Sequence, residues 1–153
     1  MTPSHAKAAI EQLVRRAAHA WNGEDSRAFA QCFTTAGTRV TTRGVLHQGH
    51  AAIERSHQQA VAERAGAVAV FKILRLALVT PDLAVITVEG ALLNPRPTDN
   101  PWITTLGAVC DADGQWRIAS QQSTLMPPGT KGWFSHRRGR LRHRLDVPPA
   151  GRA

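Results

Sequence analysis

Trp102-Ile-Thr-Thr-Leu-Gly-Ala-Val-Cys110, Asp111-Ala-Asp-Gly114, Gln115-Trp-Arg-Ile-Ala-Ser-Gln-Gln-Ser-Thr124 reads as two strand-forming runs joined by an acidic turn that ends on glycine. Period-two patterning on both sides of such a turn is the mark of a β-hairpin. If Trp116 and Ile118 face the core, alternation carries Ser120, Gln122 and Thr124 to the same side. Those three side chains are hydrogen-bonding groups rather than acids or bases. They suit either the orienting wall of a pocket or the wet rim of a sheet.

Upstream of the hairpin lie two more long apolar β segments, Val68 to Thr80 and Leu83 to Asn94, joined at Pro81-Asp82, and then a Pro-rich loop from Pro95 to Pro101. Both faces of Val68 to Leu93 are largely apolar, as when one face meets helices and the other a second surface. Further back the period changes to that of a helix. Ile10, Leu13, Val14, Ala17, Ala18 and Trp21 form an apolar stripe over Ala6 to Trp21, with Asn22-Gly23 as its stop. Asp25 or Ser26 caps a short helix from Arg27 to Phe33. Thr38 to Thr42 and Val45 to His47 read as a small hairpin, and His50 to Arg64 as a helix with Ile53 and His57 on its apolar face. Helices first and a meander of about four strands last predict an α+β domain, with helices on one face of a curved antiparallel sheet.

The chain has 153 residues, enough for one core, and no apolar run long enough to span a membrane. Its start lacks the basic and apolar regions of a secretion signal, so a soluble cytoplasmic protein is expected. Cys32 and Cys110 stand in apolar runs and read as packing residues. Net charge is +8, yet the segment from 126 to 153 holds Lys131, Arg137, Arg138, Arg140, Arg142, Arg144 and Arg152 against Asp146 alone. The body, 1–125, is therefore almost neutral, and the basic tail, 126–153, reads as a disordered extension in preference to a nucleic-acid or anion-binding arm. Trp133-Phe134 is the one part of it suited to dock back on the body or to stack on bases.

Several short motifs, in order, carry a family likeness: Ala20-Trp21-Asn22-Gly23-Glu24-Asp25 with Phe29 and Phe33; Gly44 and Gly49 with Ile53 and His57; Pro81-Asp82-Leu83-Ala84-Val85; and Asp113-Gly114-Gln115-Trp116-Arg117-Ile118-Ala119 with Gln122 and Thr124. Over roughly residues 6 to 125 the chain resembles the nuclear transport factor 2-like superfamily, and within it the SnoaL-like polyketide cyclases and the SgcJ/EcaC family. The resemblance implies a cone-shaped half-barrel with an apolar pocket, a small apolar ligand, and pairing with a second copy through the outer sheet face. Family members include isomerases, dehydratases, cyclases and non-catalytic binding modules, so the fold alone does not choose among them.

Two candidates for chemistry stand out. His57 suits a general acid or base against an apolar pocket, or a core histidine bonded to backbone. Glu89 is the lone carboxylate of an apolar strand; facing inward it would pair with His57, Arg39 or Arg75, and facing outward it would be a surface residue. Trp21, Phe33, Arg39, Val40 and Ile53 are expected to line the pocket with Ser120, Gln122 and Thr124, and Gln122 to donate to a ligand carbonyl. With no Tyr in the chain, the tyrosine-assisted sites of ketosteroid isomerases and scytalone dehydratases cannot form. Gln115 to Thr124 lacks the acid that the resemblance would put there for a polyketide cyclase. The two inward Asp residues of an epoxide hydrolase are also missing, since Asp25 reads as a cap and Asp82, Asp111 and Asp113 as turn residues. His47, His50 and His57 lack the acid or thiolate to complete a metal site, and no phosphate loop or nucleophile elbow is present. No cofactor is expected. The readings left are a small-molecule isomerase, cyclase or lyase, a binding or dimerisation module, and an anion-binding tail.

Overall fold

A computed structural model describes residues 1–93, 101–130 and 132–134, so most of the Pro-rich loop and the Arg-rich part of the tail lie outside the described residues. Three helices precede the main strands: α1 (Pro3–Asn22), α2 (Ser26–Gln31) and α3 (His50–Arg64), with β1 (Phe33–Val40) and β2 (Leu46–Gln48) between the last two. Then come β3 (Val68–Thr80), β4 (Leu83–Leu93), β5 (Trp102–Cys110) and β6 (Trp116–Leu125). All six strands form one sheet in the order β2-β1-β6-β5-β4-β3, with β1 parallel to β6 and the other neighbours antiparallel. The result is the expected α+β architecture, a curved sheet left open and packed on helices.

Local chemistry explains the boundaries. Pro3 sits in the first turn of α1, while the Thr2 side chain accepts from the His5 N–H at 3.3 Å. Asp25 caps α2, accepting from the Ala28 N–H at 3.0 Å. α2 ends earlier than expected, because Phe33 leaves the helix to pair with Ile118 and so begins β1. In the β5–β6 turn Gly114 takes φ +77, a left-handed value that glycine adopts without strain, and Asp113 accepts from the Gln115 N–H at 2.9 Å. Arg117 reaches back to both Asp111 and Asp113 and ties the turn to its own strand.

The core lies between the inner sheet face and the helices, where Ile10, Leu13, Phe33, Ile53, Ile86 and Ile118 are wholly buried. Inner positions run Phe71 and Ile73 on β3, Ala84, Ile86 and Val88 on β4, and Thr104, Leu106 and Ala108 on β5. Bulges break the alternation, beside an irregularity in β1 between Phe33 and Thr38. On β3 the extra residues are Leu74 and Val79, and on β6 the extra residue is Ala119, since Ala108 pairs with Ile118 but Gly107 with Ser120. Beyond Ala119 every β6 side chain is turned to the face opposite the one simple alternation predicts. Leu106 therefore meets Gln121 and Thr104 meets Ser123 on the inner face, while Ser120, Gln122 and Thr124 stand exposed on the outer one.

On the outer face, Gly132 and Phe134 are buried and Trp133 is partly buried, with the Lys72 ammonium 4.8 Å from the centre of the Trp133 ring. Packed structure thus runs past residue 125, up to which the folded body is expected from sequence. Residues 135–153 are not among those described.

Candidate functional site

Between α1, α3 and the inner sheet face opens a cavity of about 610 Å³. That size suits a small organic molecule. Its walls are mostly apolar: Val14 and Trp21 from α1, Phe71 from β3, Val88 from β4, and Trp102 and Leu106 from β5. Trp102 keeps its place because its cross-strand partner is Gly90. A Cβ there would lie 2.3 Å from the indole ring, so the missing side chain is the space the ring fills. On the floor, Thr104 and Ser123 share a hydrogen bond of 2.8 Å across β5 and β6, and Gln121 lies beside them in β6. Arg43 and Glu63 stand near the mouth as an exposed ion pair, at 3.1 and 3.2 Å.

Arg39 is a buried cation in the wall of the cavity, which Arg43 and Arg64 also line. β1 carries it between His47 of β2 and Gln121 of β6, to which it is cross-strand neighbour, and only 6% of it is exposed. Its guanidinium lies over the rings of Trp21 and Phe29, at 5.3 and 5.8 Å, and Nη1 donates to Ser56 Oγ. Among the described residues it has no carboxylate partner, and Nε has no hydrogen-bond partner at all. Burial lowers its pKa to about 10, so it stays charged at neutral pH.

His57 is fully buried and does not line the cavity. Nδ1 shares a 2.7 Å hydrogen bond with Ser26 Oγ, and the ring stacks on Phe29 at 4.8 Å and meets the edge of Trp21 at 4.7 Å. Burial is the main cause that lowers its pKa to about 4; the Trp21 backbone opposes the shift, and Arg39 adds to it. The ring is a neutral core histidine in contact with the same two aromatic rings as Arg39. Because Ser26 is the partner of Nδ1, Ser26→Ala leaves a buried polar atom unsatisfied. The expected cost is about 1–3 kcal/mol, read from urea unfolding midpoints; a loss under about 0.5 kcal/mol would show that the bond is dispensable.

Several expected site residues lie elsewhere. Glu89 is on the outer face, 3% exposed, opposite Lys72 in register and beneath Gly132, where any side chain would overlap Oε1. It is paired with neither His57 nor Arg39, because its strand turns the even-numbered Val88 inward and the odd-numbered position out. Phe33 and Ile53 belong to the core and not to the cavity wall, and Val40 faces outward opposite Gln122. Trp21 and Arg39 do line the cavity. The bulge at Ala119 replaces Ser120, Gln122 and Thr124 with Gln121 and Ser123.

The imidazole that reaches the cavity is His47, cross-strand from Arg39. Its pKa is lowered by partial burial and then by the positive charges of Arg39 and Arg55. His50 is occupied elsewhere, its Nε2 2.9 Å from the Phe33 carbonyl oxygen. Among the described residues no group of His, Cys, Asp and Glu is placed to hold a metal ion. Nor is any helix among them long and apolar enough to cross a membrane.

Residues 2–122 match the family model of the SnoaL-like domain. No curated protein matches the chain significantly. Among solved structures, a domain of unknown function with a cystatin-like fold from Nostoc punctiforme superposes with TM-score 0.74 at 22% identity, over 82% of this chain and 80% of that one. A ketosteroid isomerase-like protein from Erwinia carotovora atroseptica gives TM-score 0.67 at 16% identity, over 79% of this chain and 96% of that one. An NTF-2 like protein of unknown function from Shewanella oneidensis gives 0.65 at 18% identity, over 78% and 98%. At these identities the likeness is one of fold.

Proposed function

The chain belongs to the SnoaL-like domain family, and from that premise we propose that its cavity binds an apolar, oxygenated small molecule of polyketide-like type. The observation that carries this reading is the cavity itself: aromatic and aliphatic walls with polar groups set among them, including Arg39, Ser56, Thr104, Gln121 and Ser123. Such a site removes apolar surface from water, and its few fixed donors select the position of the ligand's oxygens. The narrower kinship with the SgcJ/EcaC and polyketide cyclase groups rests on the order and spacing of the short motifs together, from Ala20-Trp21-Asn22-Gly23 to Asp113-Gly114-Gln115-Trp116.

Acid–base chemistry of the isomerase or cyclase type runs through His47 in this reading. Partial burial, and then the neighbouring Arg39 guanidinium, lower the pKa of the imidazole and so favour its neutral form, which can take a proton from carbon next to a ligand carbonyl. The ketosteroid isomerase-like name of one structural neighbour agrees with that class but does not identify the ligand.

Neutral bicyclic aromatic ketones test the proposal. They should quench Trp21 and Trp102 fluorescence saturably, and Val88→Phe, which fills the cavity, should weaken binding at least about tenfold with circular dichroism unchanged. Proton NMR in deuterated water should show exchange of the ketones' α-hydrogens, and His47→Gln should remove it while affinity stays within about twofold. No saturable quenching by any ketone, or binding indifferent to Val88→Phe in a folded variant, would end the reading of the cavity as a ligand site. Binding without exchange would leave a binding module.

A further inference from the structure

We infer that the natural ligand of the cavity is a carboxylic acid, or a molecule ionised like one, whose anionic oxygens sit on Arg39. This deepens the proposed function and rests on it. An arginine that is only 6% exposed has lost most of its hydration, a cost of several kcal/mol unless an anion or a full set of hydrogen bonds makes it good. Neither is present among the described residues. Ser56 takes only Nη1, and Nε faces no acceptor. The rings of Trp21 and Phe29 beneath the guanidinium contribute, but they neutralise no charge and take no N–H hydrogen bond in its plane.

Among the described residues, the carboxylates of this part of the fold are engaged elsewhere. Glu63 lines the cavity but takes Arg43 and Gln59, and Glu24 takes Arg64. Asp25 caps α2, and Glu89 is on the far side of the sheet. Core packing alone would be served as well or better by an apolar side chain of the same length, since an unpaired buried charge is destabilising. A charge kept without an ion-pair partner in the wall of a largely apolar cavity matches the way arginine recognises carboxylates.

The geometry narrows the mode of binding. Arg39 lines the cavity, Nη1 donates to Ser56 and Nε is itself buried, so the anion is met at the terminal N–H groups of the guanidinium through charge-assisted hydrogen bonds. Gln121, the cross-strand neighbour of Arg39 on β6, supplies an amide beside it. The ligand's apolar body then has the Val88, Trp102 and Leu106 wall to lie against.

A naphthoic acid and its methyl ester differ in little but the charge. By isothermal titration calorimetry at neutral pH the acid should bind the full chain at least about thirtyfold more tightly than the ester. Arg39→Met should erase that preference and leave the ester's affinity within about threefold. If Arg39→Met does not fold, the comparison in the unmodified protein still decides. Acid and ester binding alike would overturn the inference and leave the cavity reading intact. Failure of both probes, together with failure of the neutral ketones, would overturn both.

Discussion

Phe33→Ala should cost about 3–5 kcal/mol and leave ligand affinity in the folded protein unchanged. Phe33 has no exposed surface, pairs in register with Ile118 of β6, and meets the edge of Phe29 at a ring separation of 5.4 Å. It stands where the chain passes from α2 into β1, so its ring joins the short helix to the centre of the sheet. Removing it forfeits buried apolar area and leaves a void that the neighbouring backbone, held by strand pairing, cannot close. For a domain whose total stability is on the order of 5–15 kcal/mol, the melting temperature should fall by roughly 10 °C. Thermal and urea unfolding measure the first half of this expectation and ligand titration of the variant the second. A cost below about 1 kcal/mol would deny Phe33 its place in the core, and a selective loss of affinity would put it back in the cavity wall.

Acid should destabilise the fold through His57. Its pKa is about 4 in the folded chain and 6.5 when free. Below 6.5 the unfolded chain therefore takes up a proton that the native chain refuses. The native state is favoured fully above 6.5, and this contribution is lost as pH falls toward 4. The whole step is roughly 3 kcal/mol, at 1.36 kcal/mol for each unit of difference. His47, shifted in the same direction, adds to the trend. Urea midpoints measured from pH 7 down toward pH 4 should fall steeply in the unmodified protein and more gently in His57→Gln. Equal slopes in the two proteins would mean that the acid sensitivity comes from other groups.

Much of this fold was legible before any coordinates. The helical stripe from Ile10 to Trp21, the cap at Asp25, the turn from Asp111 to Gly114 and the run of strands all express local rules, and local rules are what periodicity reports. The site was legible in part. Trp21 and Arg39 line the cavity, but Phe33 turned out to start a strand, and a strand start two residues beyond a helix leaves no periodic trace. Ser120, Gln122 and Thr124 were misplaced by a single residue, Ala119, whose bulge is a property of the pairing with β5 and β1 rather than of β6's own composition. Nor could alternation choose a face for Glu89 in a strand apolar on both sides; the segment at Gly132 that covers it is distant in sequence. Periodicity singles out His57, a histidine on an apolar helix face, over His47, while the chemical opportunity depends on which one meets open space.

The bulges of β3 bear on how the molecule behaves in company. β3 forms one border of the sheet, 13 residues long, and such a border is a template on which another polypeptide could add itself by main-chain hydrogen bonding. Leu74 and Val79, exposed by 47% and 59%, are the two extra residues in its pairing with β4. Each puts a kink in that border, so a straight incoming strand stays in step for only a few residues before losing its match. At the opposite border β2 is three residues long and offers little to join. In a crowded solution the sheet thus resists growing at its ends, and the two greasy side chains that look like an invitation to aggregate mark the places where the template is interrupted.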